Sequence, residues 1–161
     1  MNAQHSSSKW GSLARIMSLG VILALAFATT AYAGAPGQFL LPANAGWADS
    51  GVALGAGQLI TITAYGRAIT ARINIFGPGS QSGPDGQSQI CPNFDGAPPC
   101  AMDFAPYGAL VGKIGPDGTP FLIGSNDTFT PAVSGELYLA VNDLLPYYSD
   151  NYGNYMIFFS N

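Results

Sequence analysis

Charged side chains are scarce in this sequence of 161 residues, where they make up 9% of the chain. Lysine and arginine together number 5, aspartate and glutamate 9, and histidine 1. Five lysine and arginine side chains are too few to form a patch that neutralises a phosphate backbone. This excludes nucleic acid as a partner. The length is that of one domain.

Long hydrophobic runs are also lacking, apart from a mostly apolar stretch at residues 16–28. That stretch is too short for a bilayer core of ~30 Å, which takes about 20 residues. Lys9 and Arg15 precede it. Ala31-Tyr32-Ala33 follows it, with small residues at the two positions that a signal peptidase recognises before its cleavage site. We therefore interpret residues 1–33 as a secretory signal peptide and residues 34–161 as the mature domain, exported to the periplasm or the cell exterior without a membrane span. The alternative is an uncleaved membrane anchor.

The single histidine, His5, lies in the predicted signal peptide, so the mature chain has no imidazole. This excludes Ser-His and Cys-His catalysis and histidine-containing zinc sites. The mature chain keeps three cations against nine acids, a formal charge of −6. Its one glutamate, Glu136, begins an apolar segment where solvent exposure explains it, so the facing carboxylates of a glycosidase are not evident. We expect no enzyme.

The two cysteines, Cys91 and Cys100, bracket a proline-rich segment. In an exported protein two nearby thiols tend to pair, so we predict a disulfide between them. A redox or metal-binding pair is the alternative, but the spacing is not C-x-x-C and no histidine accompanies it.

Glycine (21) and proline (12) are frequent enough to break helices throughout the mature chain. Between them lie short segments that alternate in polarity or are rich in β-branched residues, at 59–65, 69–75, 110–114, 121–123, 136–141 and 155–159. This pattern predicts an all-β fold, an antiparallel β-sandwich of roughly eight strands. Gly-Pro-Asp-Gly occurs twice: at 115–118 it predicts a tight turn, and at 83–86 it lies in a long loop expected from residue 77 to about 107.

Oxygen-bearing side chains are concentrated at residues 142–154, between two apolar segments. This stretch holds two carboxylates, three carboxamides and a serine hydroxyl. Such hard donors suit Ca²⁺, which takes six to eight oxygen ligands, and do not suit zinc or copper. Asp and Asn are also common turn residues, so a solvated hairpin loop without an ion remains the alternative.

Several motifs in order carry a family resemblance that covers most of the mature chain. They are GQLITI at 57–62, AYG at 64–66, FGP at 76–78, GPDG at 83–86, IC at 90–91, Cys100, GALVGKIG at 108–115, GELYL at 135–139, ND at 142–143 and NYG at 151–153. In these the chain resembles the small calcium-dependent galactose-binding lectins of certain bacteria. The resemblance implies a sandwich of jelly-roll, galactose-binding-domain-like type.

The resemblance also implies a calcium site. Its ligands would be the side chains of Asp143, Asp150 and Asn151 and the backbone carbonyls of Tyr147 and Phe76. Asp150 stands where the family has Asn, and the added negative charge favours cation binding.

The resemblance implies a sugar contact for Gln87, with Gln89 as the alternative. We expect Asp143 and Asp150 to accept hydrogen bonds from sugar hydroxyls and the ring of Tyr147, Tyr148 or Tyr152 to cover the apolar face of the sugar. The alternative for these tyrosines is that they pack the loop onto the sandwich. The family's sugar-contacting His before the first Cys has no counterpart here. We therefore expect a secreted calcium-dependent carbohydrate-binding protein for a galactose-like or other glycan, in which a homo-oligomer would add avidity. The alternative is a non-catalytic structural or surface-interaction sandwich with at most a structural metal site.

Overall fold

The computed structural model describes residues 37–74, 77–92, 96 and 98–161. The predicted signal peptide, Phe76 and its carbonyl lie outside the described residues. Nine strands and one short helix are described: β1 (Gln38–Pro42), β2 (Ala48–Leu54), β3 (Ile60–Asn74), β4 (Gly77–Ser82), β5 (Leu110–Ile114), β6 (Phe121–Leu122), β7 (Asn126–Phe129), β8 (Gly135–Val141), a 3-10 helix (Leu145–Asp150) and β9 (Tyr152–Ser160).

The strands form two sheets with antiparallel pairing. The first sheet has the order β1-β9-β3-β4, with β7 also paired to β3, and the second has the order β2-β8-β5-β6. The predicted all-β antiparallel sandwich is confirmed.

The core lies between the sheets because apolar residues alternate along the strands. On β9, Tyr155, Ile157 and Phe159 face inward, and on β8 Leu137, Leu139 and Val141 meet them from the second sheet. Fully burying one such aliphatic side chain contributes about 1.5–3 kcal/mol. A second, smaller cluster of Ala101, Val111, Ala140 and Tyr148 lies beside the helix.

Two of the predicted strand segments, at 59–65 and 69–75, belong to a single strand, β3. Gly66 joins them in a left-handed conformation with φ 125°, and a Cβ there would collide with the carbonyl oxygen of Asn154 on β9. Glycine therefore allows one strand to continue through this close approach. The two halves of β3 pair with different neighbours, the first with β7 and the second with β4.

The turn predicted at residues 115–118 is confirmed, since it joins the paired strands β5 and β6 and Gly118 N donates to Gly115 O at 3.2 Å. The turn at 83–86 closes in the same way, with Gly86 N donating to Gly83 O at 2.9 Å. The expected long loop from residue 77 to 107 was wrong at its start, because β4 occupies Gly77–Ser82 and pairs with β3.

Within the described residues, no helix has the length and apolar character needed to cross a membrane.

Candidate functional site

The oxygen-rich segment after β8 leads from one sheet to the other. β8 belongs to the second sheet and β9 to the first, and the 3-10 helix Leu145–Asp150 lies between them. Pro146 stands in the first turn of that helix, where its fixed φ is favourable. The segment is not a hairpin loop, because β8 and β9 do not pair, and it is not solvated throughout, because Asp143 and Asn151 are buried.

Asp143 follows β8 and is buried, with 4% of its surface exposed. Its Oδ1 accepts a hydrogen bond from the backbone N–H of Leu144 at 2.8 Å. Its Oδ2 is buried and accepts no hydrogen bond from any described residue. A buried carboxylate oxygen without a partner is costly, so this atom requires an explanation.

Asp150 and Asn151 lie at the other end of the helix. Asp150 Oδ1 is also buried without a hydrogen-bond partner in the described part of the chain. Asn151 is 2% exposed, and its side-chain amide donates to the carbonyl oxygen of Ala43 at 3.2 Å, just after β1. The Asn151 side chain also lies close enough to the Asp143 carboxyl group to lower its pKa. The helix thus brings together the three predicted side-chain ligands.

Burial raises the pKa of the Asp143 carboxyl above its ordinary value of 3.8, and the negative charge of Asp150 raises it further. The hydrogen bond from Leu144 and the side chain of Asn151 lower this pKa but do not cancel the effect of burial. No lysine or arginine is among the groups that shift it. The buried Asp143 and the half-buried Asp150 carboxylates therefore lie close together, with no lysine or arginine of the described side chains acting on Asp143. A bound cation would relieve this situation.

The donor set fits calcium and does not fit a transition metal. Across the described residues there is no group of three or more His, Cys, Asp or Glu side chains placed to hold a metal. Calcium accepts amide and backbone carbonyl oxygens beside carboxylates, so two acids, the Asn151 amide oxygen and the Tyr147 carbonyl are ligands of the right type. The buried, unpartnered oxygens of Asp143 and Asp150 provide the structural reason to test for an ion here.

The base of this segment is held by Asn142, which is fully buried. Its Oδ1 accepts from Met102 N at 2.8 Å, and its Nδ2 donates to the carbonyl oxygens of Ala105 and Pro106, each at 3.1 Å. Every hydrogen-bonding group of the side chain therefore has a partner in residues 102–106. Asn142 fixes the chain where Asp143 leaves the sheet.

The predicted disulfide between Cys91 and Cys100 is present and both cysteines are buried. The backbones of Cys100 and Leu144 form an isolated antiparallel β-bridge. On either side of it, Ala101 N donates to Asp143 O at 3.0 Å, and Leu145 N donates to Pro99 O at 2.9 Å. The segment after the disulfide therefore runs beside the Asp143 segment, so the cross-link supports its backbone.

Gln87, the predicted sugar contact, is half-buried, and its Nε2 donates to Thr70 Oγ1 on β3 at 3.1 Å. Its backbone N–H donates to Tyr107 O at 2.8 Å. Gln89, the alternative, is exposed. The tyrosines of the 142–154 segment differ: Tyr147 and Tyr152 are 51% and 44% exposed, whereas Tyr148 is 8% exposed and its hydroxyl donates to Val141 O at 2.7 Å.

No protein-family model matches this sequence, and a comparison with curated proteins found no match. Among solved structures, the chain is similar to one described as "EclA N-terminal domain; PllA-like lectin". The TM-score is 0.57 at 24% sequence identity, and the match covers 77% of this chain and 94% of that chain. The chain has the fold of that lectin domain.

The sequence did not indicate the structural part that two residues play next to this site. Asn142 belongs to the ND motif at 142–143, but its hydrogen bonds to residues 102–106 are not visible in the sequence. Tyr107 lies in a segment with no motif, yet the charge of Asp143 acts on its phenol. Both depend on contacts between residues some 36 positions apart, which no local pattern reports.

Proposed function

We propose that this protein is a calcium-dependent lectin, a non-catalytic protein that binds carbohydrate through the segment between β8 and β9. The observation that carries the proposal is the pair of buried carboxylate oxygens without hydrogen-bond partners in the described chain, Asp143 Oδ2 and Asp150 Oδ1. The likeness of the fold to a lectin domain supports it.

The side chains of Asp143, Asp150 and Asn151 and the carbonyl of Tyr147 would hold the ion. The Phe76 carbonyl, implied by the family resemblance, is proposed as a further ligand. Calcium bound there would supply coordination positions for two neighbouring sugar hydroxyls.

The protein's own groups would orient the sugar. Asp143 and Asp150 accept hydrogen bonds from sugar hydroxyls, and ionised acceptors make the stronger bonds. The exposed rings of Tyr147 and Tyr152 are available to cover the apolar face of a sugar. Tyr148 is not, because its ring packs in the smaller core cluster.

A single site of this kind binds weakly, with Kd on the order of 1 mM to 10 μM. Useful retention on a glycan-coated surface would then come from several sites acting together in a homo-oligomer. We propose that the protein is exported, where calcium and surface glycans are accessible.

A glycan array run in calcium and again with chelator tests the proposal. We expect binding that disappears on chelation and in Asp143→Asn, which removes charge with little change of shape. Asp117→Asn is the matched control, since Asp117 lies exposed in the 115–118 turn, and it should bind like wild type. A blank array in calcium would contradict the lectin function.

The second candidate function is a surface-interaction sandwich without a glycan role. It is favoured by exposed apolar residues on the first sheet, where Tyr65 is 61% and Phe158 39% exposed and their ring centroids lie 6.2 Å apart. Exposed apolar groups of this kind often mark contact surfaces. The same array separates the two functions, because only the lectin binds glycans in a calcium-dependent way.

A further inference from the structure

Tyr107 lies directly opposite the segment that carries Asp143. The residue before it, Pro106, accepts a hydrogen bond from Asn142 Nδ2 at 3.1 Å. The residue after it, Gly108, donates its N–H to Asn142 O at 2.8 Å. Because both neighbours of Tyr107 are bonded to the residue before Asp143, the backbone of Tyr107 is fixed close to the proposed metal site.

The same residue is bonded to the segment that carries Gln87. Tyr107 O accepts from Gln87 N at 2.8 Å, and Tyr107 N donates to Gln89 O at 2.9 Å. Tyr107 therefore joins the two parts of the proposed site, the acidic segment after β8 and the neutral polar segment after the 83–86 turn. Both of its backbone hydrogen-bonding groups are used, so its Cα has a defined position.

The phenol of Tyr107 is half-buried and belongs to neither core cluster. Burial raises the pKa of this phenol, and the negative charge of Asp143 raises it further. The hydrogen bonds of Pro106 and Gly108 to Asn142 hold Tyr107 beside the segment that carries Asp143. The hydroxyl stays protonated at neutral pH and can donate a hydrogen bond.

We infer that Tyr107 is a specificity-determining residue of the glycan site and donates a hydrogen bond from its hydroxyl to a sugar oxygen. This inference rests on the proposed lectin function. Asp143 and Asp150 can only accept hydrogen bonds when ionised, whereas Tyr107 and the Gln87 amide can donate them. The site would therefore offer acceptors for the hydrogens of sugar hydroxyls on one side and a donor to a sugar oxygen on the other.

The test compares Tyr107→Phe with wild type and with Tyr65→Phe. The first variant removes only the hydroxyl and keeps the ring. The second makes the same change at an exposed tyrosine on the first sheet. Binding is measured on the glycan array and by calorimetry with the methyl glycosides of galactose, mannose, fucose and glucose, each in calcium. Calcium affinity without sugar and Tm are measured in parallel.

We expect Tyr107→Phe to weaken glycan binding roughly tenfold, the loss of about one hydrogen bond. Calcium affinity and Tm should stay at the wild-type values, and Tyr65→Phe should change nothing. Glycan binding by Tyr107→Phe within twofold of wild type would overturn the inference while the lectin function stands. If calcium affinity fell as many-fold as glycan affinity, or if Tm fell clearly below the wild-type value, the inference would also be overturned, because the role of Tyr107 would then be structural. A wild-type protein that binds no glycan contradicts both proposals.

Discussion

The backbone N–H of Met102 donates a hydrogen bond of 2.8 Å to Oδ1 of Asn142, two residues whose positions differ by 40 in the sequence. This bond fastens the segment that follows the disulfide to the residue that precedes Asp143. Asn142 is fully buried, and of the groups that bond to its side chain the Ala105 carbonyl is buried, whereas Met102 and Pro106 are half-buried.

Asn142→Ala should destabilise the protein by roughly 2–4 kcal/mol, since one buried and two half-buried polar groups lose their partner at once. Urea unfolding measures the change. Asn126→Ala on β7 is the control, because Asn126 is exposed, and it should stay within about 0.5 kcal/mol of wild type. An equally small effect at Asn142 would show that the network does not hold the segment.

Calcium should raise Tm, since an ion that binds only the native state stabilises it by mass action. At calcium concentrations of about 100 times Kd, the gain is about 2.7 kcal/mol, a shift of several degrees for a domain of this size. A melting scan in calcium and in chelator measures it. Asp143→Ala should abolish the shift, and Asp150→Asn should reduce it because one ligand charge is lost. A wild-type protein that melts identically with and without calcium would contradict the metal site.

The stability of the calcium-free protein should fall as pH rises through the titration of Asp143. Its native pKa is raised above the ordinary value of 3.8, so the native state binds more protons than the unfolded state between these two values. The stabilising contribution is therefore complete below the unfolded pKa and is lost as pH rises through the native pKa. Calcium binds the ionised carboxylate, so its stabilising effect should grow over the same range.

Urea unfolding at several pH values, with and without calcium, measures both trends. The difference between wild type and Asp143→Asn isolates this carboxyl group from the other acids. If that difference did not vary with pH in chelator, Asp143 would not be the group with the raised pKa.

Removing the disulfide should affect the site as well as stability. Closing a loop of this length contributes roughly 2–3 kcal/mol. The backbone of Cys100 forms a β-bridge with Leu144, the residue after Asp143. We therefore also expect the double variant Cys91→Ser, Cys100→Ser to bind calcium several-fold more weakly. Calorimetry below the Tm of the variant measures the affinity, and wild type treated with reductant is the companion sample. Unchanged calcium affinity in the folded variant would show that the cross-link acts on stability alone.

The sequence alone determined the class of fold, because alternation and the frequency of glycine and proline are local properties. Strand β5 was predicted with its observed bounds, and β8 and β9 were predicted in part. The disulfide and the turn at 115–118 followed from spacing and turn chemistry. The collection of oxygen donors at 142–154 was also visible without a structure.

Tertiary structure decided what surrounds those donors. β1, β2, β4 and β7 were missed because their sequences are short or polar and their strands are recognised only by their partners in a sheet. Because β8 and β9 lie in different sheets, the segment between them is a crossing connection with buried carboxylate oxygens and not an exposed hairpin loop. Tyr107 lies beside the Asp143 segment because Asn142 bonds to both neighbours of Tyr107. Periodicity along the chain reports which face of a strand is buried, but pairing between distant segments determines which polar atoms are buried together.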